Sequence, residues 1–513
     1  MRFVATISKA HNYLRVFGYY GDFQAKVIIP FCKANLYKYG KVMIPGTHRQ
    51  EWKVTHVFAR SNHDKTEYRI PASLLKELLE FAQYRGYNPS RIQQMVEPEI
   101  EGADCSFTLK KGFEVPRDGQ KEWIDYQLGD GAVKVNNAAT GYGKTYMALY
   151  TMVKLGKRTL ITIQPRYITT WINDISKMIE IDSSDILIWE NASLPLLGEQ
   201  IKSGAINPKI VILPMTRISG YLRNNRKDPH AVCLDTIMRN INAGYRIIDE
   251  GHESFHEVCL SLLYGNMKKY LLLSATLKAD DQFSDKMYRI QFPISIRLKE
   301  PDAENYIDIV AYMYHLCQRK YFLKTMQHGI YNDMALEESI LKKPELIKFY
   351  FHIANKAFKE YYLDVREKGT KCLFFFSRIP MCQTMLQLFQ EEYPEMDFAT
   401  YLGTLDKKTP TKYLEHEVVI TTPGSCGTGK DIPGLVTVIC FHTVMSTQRN
   451  KQMIGRLRDL ANRNEFEGRI TPRFIFPLCN DLGKHQECFQ KRKVAFASKQ
   501  KSFKLIESSC TLN

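Results

Sequence analysis

The chain has 513 residues, with 71 Lys and Arg against 55 Asp and Glu, and a formal net charge of +16. Hydrophobic content of 44% and charged content of 25% are globular values and exclude a disordered or collagen-like chain, while ~100–200 residues per domain predicts about three domains. No run approaches the roughly 18 apolar residues of a membrane span, and the opening MRFVATISKAHNYL has no signal-peptide core or cleavage site, which predicts a soluble protein that stays in the cytoplasm. Twelve cysteines include no CxxC pair, and the nearest two, Cys479 and Cys488, lie nine residues apart. That scatter predicts buried thiols rather than disulfides or a structural zinc.

In chain order, residues 1–105 read as a small basic α+β module. FVATI, AKVIIP and WKVTHVFA are rich in β-branched and aromatic residues and predict strands. PASLLKELLEFAQYRGY (71–87) carries leucines at helical spacing between an opening Pro and a closing Gly. The acidic stretch VEPEIEGAD (96–104) reads as a linker. Across 106–300 the pattern becomes short apolar runs separated by helical stretches: KVNNAA, TLITIQ, IVILPM, YRIIDE and YLLLSA. Such alternation predicts a doubly wound parallel sheet. Residues 301–480 repeat it: a helical, Tyr-rich stretch over 311–365 is followed by KCLFFFS, HEVVITT and TVICFH. The fold class expected is therefore α/β, two tandem doubly wound parallel-sheet domains behind a small α+β module, with 481–513 left as a basic C-terminal tail.

Charge is concentrated at the ends. Residues 1–115 carry a net +6 and residues 484–513 a net +5, leaving +5 for the 368 between. Basic flanks on a near-balanced middle point to a polyanion gripped at both ends. In the tail, Phe496 and Phe503 stand among lysines and an arginine, a pattern suited to base stacking or to packing a terminal helix. Trp123 and Trp171 sit in helical stretches and read as core.

The chemistry-bearing motifs start at ATGYGKT (139–145), between a strand and a helix. Thr140, Gly141 and Gly143 allow backbone amides to close around phosphate oxygens, Lys144 supplies charge, and Thr145 offers a hydroxyl to Mg²⁺. YRIIDEGH ends an apolar strand in two acids, Asp249 to hold the metal and Glu250 to orient the attacking water. SAT (274–276) supplies Ser274 and Thr276 as coupling residues. QMIGRLR (452–458) supplies Gln452, Arg456 and Arg458.

The order P-loop, DEGH, SAT, QxxGR resembles superfamily 2 DExH helicases and translocases over residues ~110–480. That resemblance implies two RecA-like domains, ATP and Mg²⁺ as cofactors, and ATP hydrolysis coupled to movement along nucleic acid. By the same resemblance Gln120 in RDGQ is the adenine-reading residue, and Gly429 and Asp431 in TTPGSCGTGKDIP belong to the nucleotide site. Strand contacts are then implied for Pro165 and Arg166, Thr216 and Arg217, Ser377 and Arg378, and Thr421 and Thr422. The family pattern QxxGRxxR is shortened here, since Asp459 stands where the second arginine is expected, so the finger falls to Arg456 or Arg458.

The flanks resemble the narrower UvsW-type phage recombination and branch-migration helicases. This implies remodelling of branched, forked or single-stranded DNA in replication, repair and recombination, in a host-cell cytoplasm. Two other readings use the same motifs: an RNA helicase or remodeller with the same motor, and a non-catalytic nucleic-acid clamp switched by ATP. Core motifs hold phosphates and do not distinguish DNA from RNA. No heptad run marks an oligomer interface.

Overall fold

A computed structural model describes the chain apart from residues 1–2, 20, 44–49, 62, 139–140, 275–280, 299–304, 317, 328, 404–405, 407–411, 427–431, 459, 461–469, 498 and 513. Of the expected site residues, Thr140, Thr276, Gly429 and Asp431 lie outside the described residues. The fold is α/β and divides into two compact units, residues 1–300 and 301–513.

The first unit opens with β1 (Ala5–Lys9), β2 (Tyr13–Gly18), α1 (Ile29–Asn35), β3 (Tyr37–Met43), β4 (Gln50–His56), β5 (Ala59–Arg60), β6 (Glu67–Pro71), α2 (Leu75–Tyr84) and β7 (Ile92–Val96). Five of these strands form one sheet in the order β5-β6-β2-β1-β7, while β3 and β4 pair only with each other. AKVIIP is not the expected strand. It is a π-helical turn, Gln24–Ile28, running into α1. Its β-branched run is overridden because Phe23, Val27 and Phe31 recur every four residues and are all buried. The expected linker is also packed: Glu97 and Ile100 are buried, Ile100 bridges to Met267, and a Cβ on Gly102 would strike the backbone of Gly244.

The rest of the unit is built from α3 (Gln120–Leu128), β8 (Val133–Asn136), α4 (Lys144–Leu155), β9 (Thr159–Ile163), α5 (Ile168–Met178), β10 (Ile186–Ile188), α6 (Leu194–Lys202), β11 (Ile210–Pro214), α7 (Met215–Asn224), α8 (Leu234–Ile241), β12 (Tyr245–Asp249), α9 (Phe255–Ser261), β13 (Lys269–Leu273) and α10 (Gln282–Gln291). Six strands pair in parallel in the order β10-β11-β9-β12-β13-β8. Central strands such as β9 and β11 are buried along their whole length, as a sheet covered on both faces requires. The N-terminal module shares its core with this sheet. Its buried Arg69 reaches across to Asp235 (3.0 Å) and to the carbonyl of Leu263 (3.1 Å), and Tyr13 donates to Asp235 (3.3 Å).

The second unit contains β14 (Ile307–Leu316), α11 (Asp333–Leu341), α12 (Pro344–Tyr361), β15 (Lys371–Phe375), α13 (Ile379–Glu392), β16 (Phe398–Tyr401), β17 (Val418–Thr421), β18 (Leu435–Cys440), α14 (Thr447–Ile454), β19 (Arg473–Cys479), α15 (Gly483–Phe496) and β20 (Gln500–Leu512). Seven of its described strands form one parallel sheet, in the order β16-β17-β15-β18-β19-β14-β20, and two short strands, Met326–Gln327 and Ile330–Tyr331, pair antiparallel with each other. Two expectations change here. The start of the 311–365 stretch belongs to strand β14, which is paired on both sides; after one short helical turn, Gln318–Tyr321, the longer helices begin at Asp333. Residues 481–513 are not a tail. They supply α15 and β20, with Arg492, Phe489 and Phe496 buried. Among the described residues no helix is long and apolar enough to cross a membrane.

Phe496 packs edge-on against Phe474 at 5.0 Å and beside Phe476 at 6.2 Å. Phe496→Ala is expected to cost about 3–5 kcal/mol in urea unfolding. A charge-only role for this segment predicts no loss.

Candidate nucleotide site and nucleic-acid contacts

Parallel pairing builds the site. Asp249 lies beside Leu273, and Leu273 beside Asn136, so the loops leaving β12, β13 and β8 emerge side by side at the carboxyl end of the sheet. That is where doubly wound sheets bind ligands. After β8, Gly141 (φ +89°) and Gly143 (φ +90°) turn the chain through left-handed backbone into α4. At Gly143 a Cβ would lie 2.5 Å from Nε2 of Gln120, so only glycine fits. The Gln120 carboxamide accepts from the Arg117 N–H (3.1 Å) and donates to the Tyr142 carbonyl (2.8 Å). It therefore braces the P-loop from α3 and keeps one donor and one acceptor lone pair for a ligand. Lys144 at the first position of α4 donates to the Ala138 carbonyl at 3.0 Å, and Thr145 follows it.

Asp249 accepts from the indole N–H of Trp171 at 2.7 Å and from the Glu250 amide at 2.9 Å. Glu250 holds a left-handed backbone, φ +45°, unusual for a residue with a side chain. Burial raises the pKa of both carboxyls; the charge of Glu250 adds to this at Asp249, and Lys144 opposes it at both. Two desolvated acids facing one ammonium make a pocket whose charge a divalent cation would balance. The donor set thus fits a Mg-nucleotide. His252 Nδ1 lies 3.1 Å from the Glu250 carboxylate and 2.9 Å from the Ser274 hydroxyl, which ties the DEGH loop to the SAT loop. Burial pushes the His252 pKa down to about 4, so the imidazole is neutral.

Beside this cluster, Gln164 donates to Ser254, and Arg166 pairs with Glu253, which also accepts from Tyr167 at 2.8 Å. Pro165, Arg166 and Thr216 are exposed. Arg217 donates to the Ala192 carbonyl. The first unit therefore brings together Gln120, Gly141, Gly143, Lys144, Thr145, Asp249, Glu250 and Ser274. Sequence reading assigned Trp171 to the core and gave His252 no role. Trp171 is indeed buried, but nothing in the sequence marks its one polar atom as a partner of Asp249; His252 stands inside the DEGH motif itself.

In the second unit, the N–H groups of Ser377 and Arg378, which enter α13, each donate at 2.8 Å to one oxygen of Glu337 on α11. Burial raises that acid's pKa to about 8. The Ser377 hydroxyl lies 2.8 Å from His442, and Arg378 donates to Glu338 at 2.6 Å. Ser377, Arg378 and Thr422 line a cleft of about 800 Å³ with Lys324 and Lys342. Thr421 is different: it is fully buried and its hydroxyl donates to the Tyr401 carbonyl, so it faces the core and not a ligand. Helix α14, which carries Gln452, stops at Ile454; Arg456 and Arg458 lie in the turn beyond it. Arg456 is buried, and Arg458 donates to the Gly455 carbonyl at 2.7 Å. The spacing of the arginines is thus set by a turn and not by helical periodicity.

A neutral buried His252 has a pH consequence. Its folded pKa lies below the unfolded value near 6.5, so its contribution is complete above 6.5 and is lost as pH falls toward about 4. Stability measured in urea at pH 5 is expected to fall by about 2 kcal/mol relative to pH 7.5 from this group. His252→Gln should remove that part of the pH dependence; an unchanged profile would mean that the imidazole charges freely.

No protein-family model matches the chain. A curated relative, "Transcript termination protein A18" of Yaba-like disease virus, is 22% identical over 334 residues, 62% of this chain and 63% of the relative's own length. Among solved structures, S. cerevisiae Dbp5 bound to RNA and ADP BeF3 is 12% identical, with 77% of this chain and 91% of that chain covered and a TM-score of 0.48. Mss116p bound to ssRNA and AMP-PNP is 15% identical, with 75% and 72% covered and a TM-score of 0.44. The narrower likeness to UvsW-type phage enzymes gains no support from these relatives.

Proposed function

We propose that the chain is a superfamily 2-type motor that hydrolyses ATP with Mg²⁺ and uses the energy to move along or remodel nucleic acid. The observation that carries this is the assembly of P-loop, Asp249–Glu250 and Ser274 at one sheet edge, joined through His252. In this reading the P-loop amides and Lys144 hold the phosphates, with Gln120 bracing the loop from below. Thr145 and Asp249 hold Mg²⁺, which when bound neutralises charge on the phosphates. Glu250, its pKa raised by burial, orients the attacking water and accepts its proton. The neutral His252 passes a shift in Glu250 to Ser274 and the SAT loop. By the family resemblance, Arg456 and Arg458 are the sources of transition-state charge and Gln452 a hydrogen-bonding partner, and the motif that carries Gly429 and Asp431 is assigned to nucleotide binding. Arg166, Thr216, Arg217, Ser377, Arg378 and Thr422 contact phosphates of the strand.

For the substrate, we favour RNA or a transcript-containing hybrid over branched DNA. What supports this is the curated relative, whose name assigns it to transcript termination. Fork regression and branch migration, implied by the phage likeness, have no comparable support.

Three measurements test the proposal. Glu250→Gln is expected to abolish ATP turnover while ATP and nucleic-acid binding persist; turnover at the wild-type rate would remove Glu250 from the mechanism. Arg456→Ala should lower turnover at saturating ATP by at least about tenfold, or ~1.4 kcal/mol of transition-state stabilisation, and more than Arg458→Ala does. A panel of single-stranded RNA, single-stranded DNA and forked DNA in the same assay decides the substrate. Strongest stimulation by the fork would return the DNA reading.

A further inference from the structure

A groove of about 950 Å³ lies within the first unit, between the N-terminal module and the segment from α7 to α8. Its floor is electrically settled. Arg15 and Arg69 pair with Glu67, Arg15 also with Glu97, and Arg69 with Asp235. Its rim carries an excess of positive charge: Arg60, Lys65, Arg223, Arg226 and Lys227 line it against the acids Asp64 and Glu257, and these five cations are exposed and form no ion pair among the described residues, although Arg60 lies over the Tyr68 ring. Five cations around one opening raise the local potential for a polyanion.

The second observation is the hairpin of β3 and β4, which stands apart from the module's main sheet. Its register pairs Tyr37 with His56, Tyr39 with Val54 and Lys41 with Trp52, which puts Tyr37, Tyr39, Trp52, Val54 and His56 on one face. Tyr39 is 61% exposed and Trp52 68%. The rings of Tyr37 and Tyr39 stack at 5.8 Å, and Tyr37 continues to Phe58 at 5.3 Å. Val54, His56 and Phe58 line the groove, so the aromatic stripe runs from its wall out along the hairpin. Large exposed rings cost hydration free energy unless something covers them. Rings beside unpaired cations fit a ligand that carries flat π-faces and phosphates together.

We propose that this groove and the hairpin face hold a single-stranded stretch of nucleic acid, with bases stacked on Tyr39 and Trp52 and phosphates against Arg60, Lys65, Arg223, Arg226 and Lys227. The inference rests on the reading of the chain as a nucleic-acid motor, and it names a contact outside the motor's own motifs. A duplex is a poorer occupant, because its bases are already stacked on one another and would leave the rings unused. One helix links the two contacts: α7 carries Thr216 and Arg217, assigned above to the strand, in its first turn, and Arg223, which lines the groove, in its last, over ten residues or about 15 Å.

The test uses the full chain without nucleotide and follows tryptophan fluorescence during titration with an oligothymidylate of about 16 nucleotides. Trp123 and Trp171 are buried and Trp189 is half-buried, so the titration is run in a Trp189→Phe background, where the exposed ring of Trp52 should carry most of a base-stacking quench. Trp52→Phe is expected to remove most of that quench and keep the affinity, as followed by anisotropy of a labelled oligonucleotide. Trp52→Ala should weaken binding about tenfold, and the pair Arg223→Ala and Arg226→Ala should reduce the slope of log affinity against log salt by about 1.4. Thermal melts equal to wild type confirm that these surface variants fold. An unchanged quench in Trp52→Phe, a wild-type salt slope in the arginine pair, or an equal quench by a blunt duplex overturns the proposal. Failure of the motor reading is a separate result, since absent ATP turnover leaves this titration untouched.

Discussion

Everything at the nucleotide site depends on the pairing of β12 with β13 and of β13 with β8. Parallel strands bring like ends together, so three loops far apart in the chain leave one edge as neighbours. The register that sets Asn136 beside Leu273 and Leu273 beside Asp249 aligns the starts of the P-loop and the SAT motif with the paired acids. A slip of one residue would turn Asp249 to the opposite face. Partial burial at that edge raises the pKa of both adjacent carboxyls, the charge of Glu250 adds to this at Asp249, and a cation is the natural partner for the pair.

The same burial gives small groups large effects. Trp171 comes from α5 and is part of the hydrophobic layer, yet its N–H donates to Asp249 alongside the Glu250 amide. His252 is kept neutral by burial and spans two motifs. A backbone at φ +45° aims Glu250, at a conformational cost of about 1–2 kcal/mol that the surrounding contacts must offset. Positioning here is done by a packed layer, and mutation in that layer should be read as a change of electrostatics as well as of packing.

Charge also looks different in three dimensions. The net +6 of residues 1–115 suggested a basic N-terminal module, but its innermost arginines are spent on Glu67, Glu97 and Asp235, and these pairs weld the module to the parallel sheet. What remains for a ligand is the rim of one groove. At the other end, the +5 of residues 484–513 includes Arg492, which is fully buried, bonded to the carbonyl of His442 at 2.6 Å and to Asn450 at 3.2 Å. It fastens α15 to the helix that leads into the arginine turn.

By itself the sequence determined what local chemistry and short-range pattern can specify. The glycines of ATGYGKT, the acids closing YRIIDEGH and the predominantly apolar runs of β9, β11, β12 and β13 need no distant partner to be read, because their residue types favour one backbone or one covered strand. Tertiary structure decided the segments whose state depends on a remote neighbour. Residues 24–35 became helical because Phe23, Val27 and Phe31 found the core of the module. Residues 307–316 became a strand because β19 and β20 lie on either side. The last thirty residues joined a sheet instead of trailing as a tail, and the 96–104 segment packed against Met267 and Gly244. A β-branched run or a charge run is compatible with several environments; only the contacts made across the sheet choose among them.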